Sequence, residues 1–395
     1  MKKVCLITPG HISTNPRLVK ESIALSKNGY QVHIIFTQYV SGQIRFDEQI
    51  LNDNPDWSYN KLDWTGHTLF SKFSRFARKL LNILKLSNPV KLNRNFYWQL
   101  TKAITANADL YIAHNLGALP VAVYAAKKNS SKCGFDAEDF HRYETTNDLD
   151  APTAKLTIAI ENKYIPQVNY VTASSPLISE RYSSLYNLQV STILNVFPKA
   201  KHIIKQNTSV LPLQLFWFSQ TIGQGRGLET VIKAINKSQV FVHLNLLGQQ
   251  STDYVRNLIG GADYRYCRII IHDTVAPDEI FKLAQKFDIG LASEAKEPVN
   301  RDICLTNKLF TYIQSGLAVL ASNTTAQKDF MDKYPEIGDL YGDEQDLSVL
   351  IIRYNSDRAK LLNTKRSCLA LGNHDLNWET EGSKFISIIE KTLAS

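Results

Sequence analysis

No stretch of this chain approaches the roughly 20 apolar residues that cross a bilayer as a helix. No segment repeats with a period of roughly 20–50 residues, and there is no low-complexity tract. The five cysteines, Cys5, Cys133, Cys267, Cys304 and Cys368, are odd in number and include no CxxC pair. Their scatter argues against a disulfide framework or a thiolate zinc site and fits a reducing compartment. The P-loop signature GxxxxGK[ST] is missing, and the loop after the first apolar run holds one glycine, Gly10, where a dinucleotide fold would carry GxGxxG. Acidic residues are missing between Trp64 and Ala108, while Lys72, Arg75, Arg78, Lys79, Lys85, Lys91, Arg94 and Lys102 all fall inside. A field of that sign attracts phosphate.

What is there is an ordinary globular composition: 395 residues, 44% hydrophobic, with a net charge of +8. That length accommodates two domains with separate cores, since domains usually run to about 100–200 residues. The segment MKKVCLITPG has only a short apolar run before Thr8 and Pro9, so it reads as a buried first strand rather than a signal-peptide core. A cytoplasmic protein is expected, with peripheral contact to the inner face of an anionic membrane through residues 66–105 as one option. There Leu69, Phe73, Phe76, Leu80, Leu81 and Leu84 recur at helical spacing between basic residues, as in interfacial helices. A helix packed on the core with a solvated basic face explains the same pattern.

Short apolar runs alternate with helical patterns along nearly the whole chain. Strands are expected at Val4–Thr8, Val32–Phe36, Leu110–His114, Cys133–Asp136, Tyr170–Ala173 and Thr192–Leu194. Asn15-Pro16 is a cap and first-turn pair opening a helix closed by Gly29, and a second helix is expected from Leu119 to Lys128. Residues 195–211 read as a linker. Strands are expected again at Leu215–Phe218, Phe241–Leu247, Ile269–Ile271, Ile289–Ala292 and Val319–Ala321, with helices at Leu228–Asn236, Pro277–Gln285 and Asn307–Ser315. The simplest account is an α/β chain of two doubly wound Rossmann-like domains, 1–198 and 212–375, followed by a C-terminal helix in 376–395 that returns to the first domain. Such sheets bind ligands beyond the carboxyl ends of their strands.

Two stretches carry chemistry. In CLTNKLFTYIQSGLAVLAS, Thr306 is a natural N-cap, Asn307–Ser315 a helix and Gly316 its stop. Free amides at a helix start beside Lys308 make an anion site, although a βαβ crossover with a surface lysine has the same pattern. In WFSQTIGQGRGLETVIKAI, Gly223, Gly225 and Gly227 form a turn between strand and helix, and Arg226 can fork onto phosphate oxygens. A plain tight turn is the competing explanation. FDAEDFHRYE crowds Asp136, Glu138, Asp139, His141 and Glu144 together, and Asp148-Leu149-Asp150 spells DxD. Neither has metal-ligand spacing in a supporting context, so polar acceptor-side loops and no metal are expected.

The chain resembles glycosyltransferase family 4 over essentially its full length. The resemblance rests on the order of HISTNPRLVKES, DLYIAHNLGALPVAVYAAKK, FDAEDFHRYE, FSQTIGQGRGLE, NKLFTYIQSGLAVLAS and NWETE. It implies a GT-B fold, two Rossmann-like domains facing across a cleft, and metal-independent, retaining transfer of a hexose from a nucleotide diphosphate sugar. No cofactor and no nucleic-acid partner are expected. In that family an Arg and a Lys six residues apart, followed by a glycine, grip the diphosphate; aligned on Gly227, Arg226 takes the Lys place and Gln220 the Arg place. The family's paired glutamates fall here on Ile303 and Thr311, so both carboxylates are missing, and Glu294 or Glu297 stands nearby upstream. By resemblance the donor set is Gly10, His11, Ser219, Gln220, Arg226, Gly227, Glu297, Thr306, Asn307, Lys308 and Thr311. His114, Arg226 and Lys308 are the candidate catalytic residues, with His114 near sugar and acceptor. Arg17 points at the phosphates or is solvated. The acceptor is expected to be a glycan or a lipid-linked glycan. A degenerate nucleotide- or glycan-binding partner subunit and a sugar-nucleotide epimerase are the alternatives; the second needs carboxylates in which the donor-side loops are poor.

Overall fold

A computed structural model describes residues 1–66, 89–199, 212–276 and 279–395. The chain divides into two compact units, one of Met1–Leu194 with Gly382–Ser395, the other Asn195–Glu381. The block expected as a basic amphipathic helix, including Leu69 through Leu84, lies outside the described residues.

The first unit is built on seven parallel strands: β1 (Lys3–Ile7), β2 (Gln31–Gln38), β3 (Ser58–Asp63), β4 (Leu110–His114), β5 (Lys132–Ala137), β6 (Tyr170–Ala173) and β7 (Val190–Thr192). Their spatial order is β3-β2-β1-β4-β5-β6-β7. Every residue of β4 is buried, as a strand covered on both faces must be. The helix Pro16–Lys27 starts where Asn15 Oδ1 accepts the Leu18 amide and proline fills the first turn. Strand order reverses between β1 and β4, so the loops after Ile7 and His114 flank the switch point. Elements of this unit that the sequence pattern does not mark include β3 and the helices Ser41–Asn52, Pro152–Tyr164 and Pro176–Tyr186. β3 reads SYNKLD, an exposed edge strand with none of the apolar run that marks the central ones. The last strand also sits two residues earlier than expected, at Val190–Thr192.

The second unit has six parallel strands: β8 (Leu213–Ile222), β9 (Val242–Gln250), β10 (Cys267–His272), β11 (Ile289–Ala292), β12 (Ala318–Ser322) and β13 (Gly338–Tyr341). Their order, β10-β9-β8-β11-β12-β13, places the switch point between β8 and β11. The core gathers Leu215, Trp217, Val231, Leu244, Leu291 and Leu320 between this sheet and its helices. β8 does not stop at Phe218. It bulges between Phe218 and Thr221 and then re-pairs with β9 through Ile222. The bulge brings the Ser219 carbonyl to within 2.4 Å of where a Cβ on Gly248 would sit, so only glycine fits that partner strand. The helix expected from Pro277 is described over Glu279–Ala284.

Candidate functional site

In the second unit the loops on either side of the switch point are locked together. Gly227 caps the helix Leu228–Ser238 with φ +74°, and a Cβ there would stand 2.0 Å from Ser293 Oγ. That hydroxyl donates to the Arg226 carbonyl at 2.9 Å, and Arg301 Nη1 donates to the Gly225 carbonyl at 3.3 Å. Ser293 follows β11, so the glycine turn after β8 is seated against the neighbouring loop. Two Gly positions and one hydroxyl thereby fix the backbone of Arg226. Its guanidinium is half-buried and has neither hydrogen bond nor ion pair among the described residues.

The next residue of that loop, Glu294, reaches the helix Asn307–Ser315. Its Oε1 lies 2.5 Å from Lys308 Nζ, and both side chains are buried. The Lys308 ammonium also stands 5.6 Å from the Trp217 ring centroid, a cation–π distance. Thr306 holds the N-cap position in extended backbone, yet its hydroxyl makes no capping bond and has no partner among the described residues. The expectation of a side-chain cap therefore fails, and no threonine oxygen competes for the first-turn amides of this helix. Asn307 is exposed and its Oδ1 accepts from Asn195 Nδ2 at 2.8 Å.

The remaining donor-side candidates fall in varied settings. Gln220 is exposed and Ser219 half-buried, both in the bulge of β8 rather than in a loop. Glu297 is exposed before Pro298. Thr311 and Ile303 are 2% and 3% exposed, so both side chains belong to the core. Thus Arg226, Gly227, Thr306 and Lys308 are brought into one neighbourhood by Ser293 and Glu294, a serine–glutamate pair that sequence pattern does not distinguish from ordinary loop polarity.

The first unit holds a different kind of cluster. Arg17 forks onto Asp136, Nε to Oδ2 at 2.7 Å and Nη2 to Oδ1 at 2.6 Å, and Nη1 donates to the Ile193 carbonyl at 2.6 Å. Thr172 Oγ1 donates to Asp136 as well, at 2.8 Å. His114 ends β4 beneath the helix Pro16–Lys27, fully buried, with Glu21 3.2 Å from Nε2 and Asp136 3.4 Å from Nδ1. Burial disfavours the imidazolium, but the Glu21 charge and the adjoining Asp136 and Glu138 carboxylates outweigh it and raise its pKa well above the ordinary value. Burial likewise pushes the Asp136 carboxyl up, while Arg17 and His114 hold it well below the usual range. Lys20, desolvated and beside Arg17, is lowered to about 7.

Arg17 is therefore a buried structural cation and not a solvated or phosphate-facing one. Glu21, His114 and Asp136 lie close enough together for a cation site. The carboxylates approach opposite ring nitrogens, however, and the Arg17 fork occupies Asp136. The arrangement is a bridged imidazolium, and the donor set does not converge as a metal requires. Nearby, His141 pairs with Glu144 at 2.9 Å; burial lowers its pKa, but that hydrogen bond and the Glu144 charge win and lift it to about 9. Asp148 and Asp150 lie in an exposed turn, with Asp148 Oδ1 accepting the Asp150 amide.

His11 has both ring nitrogens engaged. Nδ1 is 2.6 Å from Asp47 Oδ2, and Nε2 accepts the amides of Tyr39 and Val40, each at 2.9 Å. Two amide donors on Nε2 require the Nδ1–H tautomer, which donates to Asp47. A Cβ on Gly10 would be 3.4 Å from the Tyr39 ring. Gly10 and His11 thus underpin Tyr39 within the first unit.

Comparison with known proteins adds the fold. No family model matches the chain, and no curated protein matches it significantly by sequence. Among solved structures, the Anabaena protein HepE in complex with UDP and glucose superposes with a TM-score of 0.70 at 15% identity, covering 99% of this chain and 100% of that one. A glycosyltransferase from Rickettsia africae gives 0.69 at 12% identity, covering 99% and 98%. A variant of S. aureus TarM in complex with Fondaparinux, alpha-GlcNAc-glycerol and UDP gives 0.70 at 12%, covering 100% of each. The two parallel-sheet domains are those of the GT-B glycosyltransferase fold.

Proposed function

We propose that the chain is a retaining glycosyltransferase moving a hexose from a nucleoside diphosphate donor to a glycan or lipid-linked acceptor. The place of such a reaction is the synthesis of cell-surface polysaccharide or a glycoconjugate. The observation that carries the reading is Arg226, a guanidinium without a partner among the described residues, presented by a backbone that Gly227 and Ser293 lock at the switch point. Fold likeness to HepE, solved with UDP-glucose, supports the ligand class.

The chemistry asked of these residues is electrostatic. As the glycosyl–phosphate bond breaks, negative charge collects on the leaving diphosphate. Arg226 and the uncapped amides at Asn307 and Lys308 lie ready to take it without reorganisation. Lys308 contributes less in this arrangement, because Glu294 already neutralises it. Retention follows from attack on the face the diphosphate leaves, with that phosphate accepting the acceptor's proton, so no protein base is needed.

Assays with UDP-, GDP- and dTDP-sugars, reading release of nucleoside diphosphate, test the proposal. Nucleotide binding with neither transfer nor slow donor hydrolysis would favour a binding module instead. The burial of Thr311 and Ile303 at the expected glutamate positions is the observation behind that second reading. A lipid-linked acceptor further implies contact between residues 66–105 and anionic membrane. Equal flotation on anionic vesicles of the wild type and of a protein with Arg75, Arg78 and Lys79 changed to Glu removes that contact.

A further inference from the structure

We infer that Tyr39 and Trp64 form a saccharide-binding platform on the first unit, held in place by the buried Asp47–His11 pair. The inference rests on the transferase reading and names where the acceptor sugar is met. Tyr39 and Val40 follow β2 and Trp64 follows β3, so both rings rise from the carboxyl edge of the sheet, where ligands of such sheets bind. Tyr39 is 48% exposed although it packs over Gly10 and lies 4.9 Å from the His11 ring. Its centroid is 5.7 Å from Trp64 at 37°, so the two rings make a shallow V rather than a closed stack.

The support beneath this V is unusually complete. Asp47 is wholly buried and takes His11 Nδ1–H, the Ser13 amide at 2.9 Å and Gln38 Nε2 at 3.0 Å. His11 then holds the Tyr39 and Val40 amides through Nε2, and the Trp64 amide donates to the Gln38 carbonyl at 2.9 Å. Through His11 and Gln38 this network positions the backbone of two aromatic residues, one of which is left half in solvent. Burial alone does not account for such an arrangement.

The surroundings select the occupant. Arg94 lies 5.0 Å from the Trp64 ring, Asp63 flanks it in sequence, and the Trp64 indole N–H is turned inward, buried and without a hydrogen-bond partner among the described residues. A pair of rings edged by the charged groups of Arg94 and Asp63 suits a ligand with an apolar C–H face and a hydroxyl rim, which is a pyranose. A lipid surface calls for a larger apolar patch, and a nucleobase for a flatter slot. His11 is then a positioning residue, since both its nitrogens are engaged within the protein.

The test uses saturation-transfer NMR on the full chain with methyl glycosides of glucose, galactose and N-acetylglucosamine at roughly 10 mM, in the weak-binding range. Calorimetry with UDP runs in parallel. Transfer to the glycoside ring protons is expected in the wild type, lost in Tyr39→Ala and Trp64→Ala, and kept in Tyr39→Phe, with UDP affinity the same throughout. His11→Ala should lose the signal although it touches no sugar, and His11→Gln, whose amide oxygen can accept as Nε2 does, should restore part of it. UDP binding without any glycoside signal, or an unchanged signal in Tyr39→Ala, overturns the platform and leaves the transferase reading standing. Absence of UDP binding with the glycoside signal intact counts against the transferase reading and leaves the platform. Tyr39 is exposed, so a melting temperature matching the wild type shows that its variants fold.

Discussion

Each unit has an arginine close behind its first strand at the switch point, and the two have opposite fates. Arg17 enters a helix that lies on the sheet, and Asp136, Glu21 and the Ile193 carbonyl use up its donors in a site where it is 2% exposed. Arg226 sits in a glycine turn just ahead of its helix, and nothing among the described residues pairs with it. The charge is the same, and so is the topological position. One turn of chain decides whether the guanidinium faces a sheet or a ligand. A cation near a switch point is informative about function only when the burial and the partners are known.

Four substitutions and one titration sharpen that contrast. The largest change is expected at Asp136: Asp136→Ala leaves Arg17 buried without its fork and should cost about 3–5 kcal/mol of stability by denaturant unfolding. Stability near that of the wild type would mean the cluster is solvated. Next comes Arg226→Ala, for which we expect kcat/KM to fall by about 10²-fold or more with the melting temperature unchanged. An unaltered kcat/KM would place the diphosphate elsewhere. Lys308→Ala should lower kcat/KM less, by about 10-fold, because Glu294 already offsets its charge and the helix amides remain. Gly227→Ala is expected to destabilise by roughly 1–2 kcal/mol through its left-handed backbone, with the Ser293 contact adding to it. A melting curve unchanged by that substitution would show that the turn is not locked.

The titration is a pH dependence of stability. The folded pKa of His141, about 9, lies above the unfolded value, so its contribution to stability is full below the ordinary histidine range and is lost as pH rises through about 9. Lys20 behaves in the opposite sense: its folded pKa of about 7 is depressed, so its contribution grows as pH rises from 7 toward the unfolded lysine value. Comparing the melting temperatures of the wild type and His141→Gln from pH 7 to 10 isolates the first. Parallel curves would refute it.

The central strands were legible in sequence because burial on both faces leaves an apolar run. Leu110–His114, Tyr170–Ala173 and Ile289–Ala292 fall where their composition puts them. Edge strands obey no such rule: SYNKLD in β3 and GDLY in β13 pair on one side only and read as loop. The same limit applies to the sites. Gly227 and Lys308 announce themselves through local pattern, one by its turn and the other by its helix start. The pairings that define the surroundings, Arg17 with Asp136, Glu294 with Lys308 and Asp47 with His11, join residues distant in sequence. Only the folded chain brings them together.

The final helix, Trp378–Ala394, raises a question of timing. From Gly382 onward it groups with the first unit, where Phe385 and Ile389 are fully buried, Lys2 Nζ donates to the Leu393 carbonyl and Lys132 reaches Ser395. Residues 1–194 therefore lack part of their own core until Gly382–Ser395, which follow the whole second unit in sequence, have been made. Domains usually fold in the order of their synthesis. Here sequence order runs across that rule, and removal of Gly382–Ser395 would open the core of the first unit while leaving every residue of the second in place.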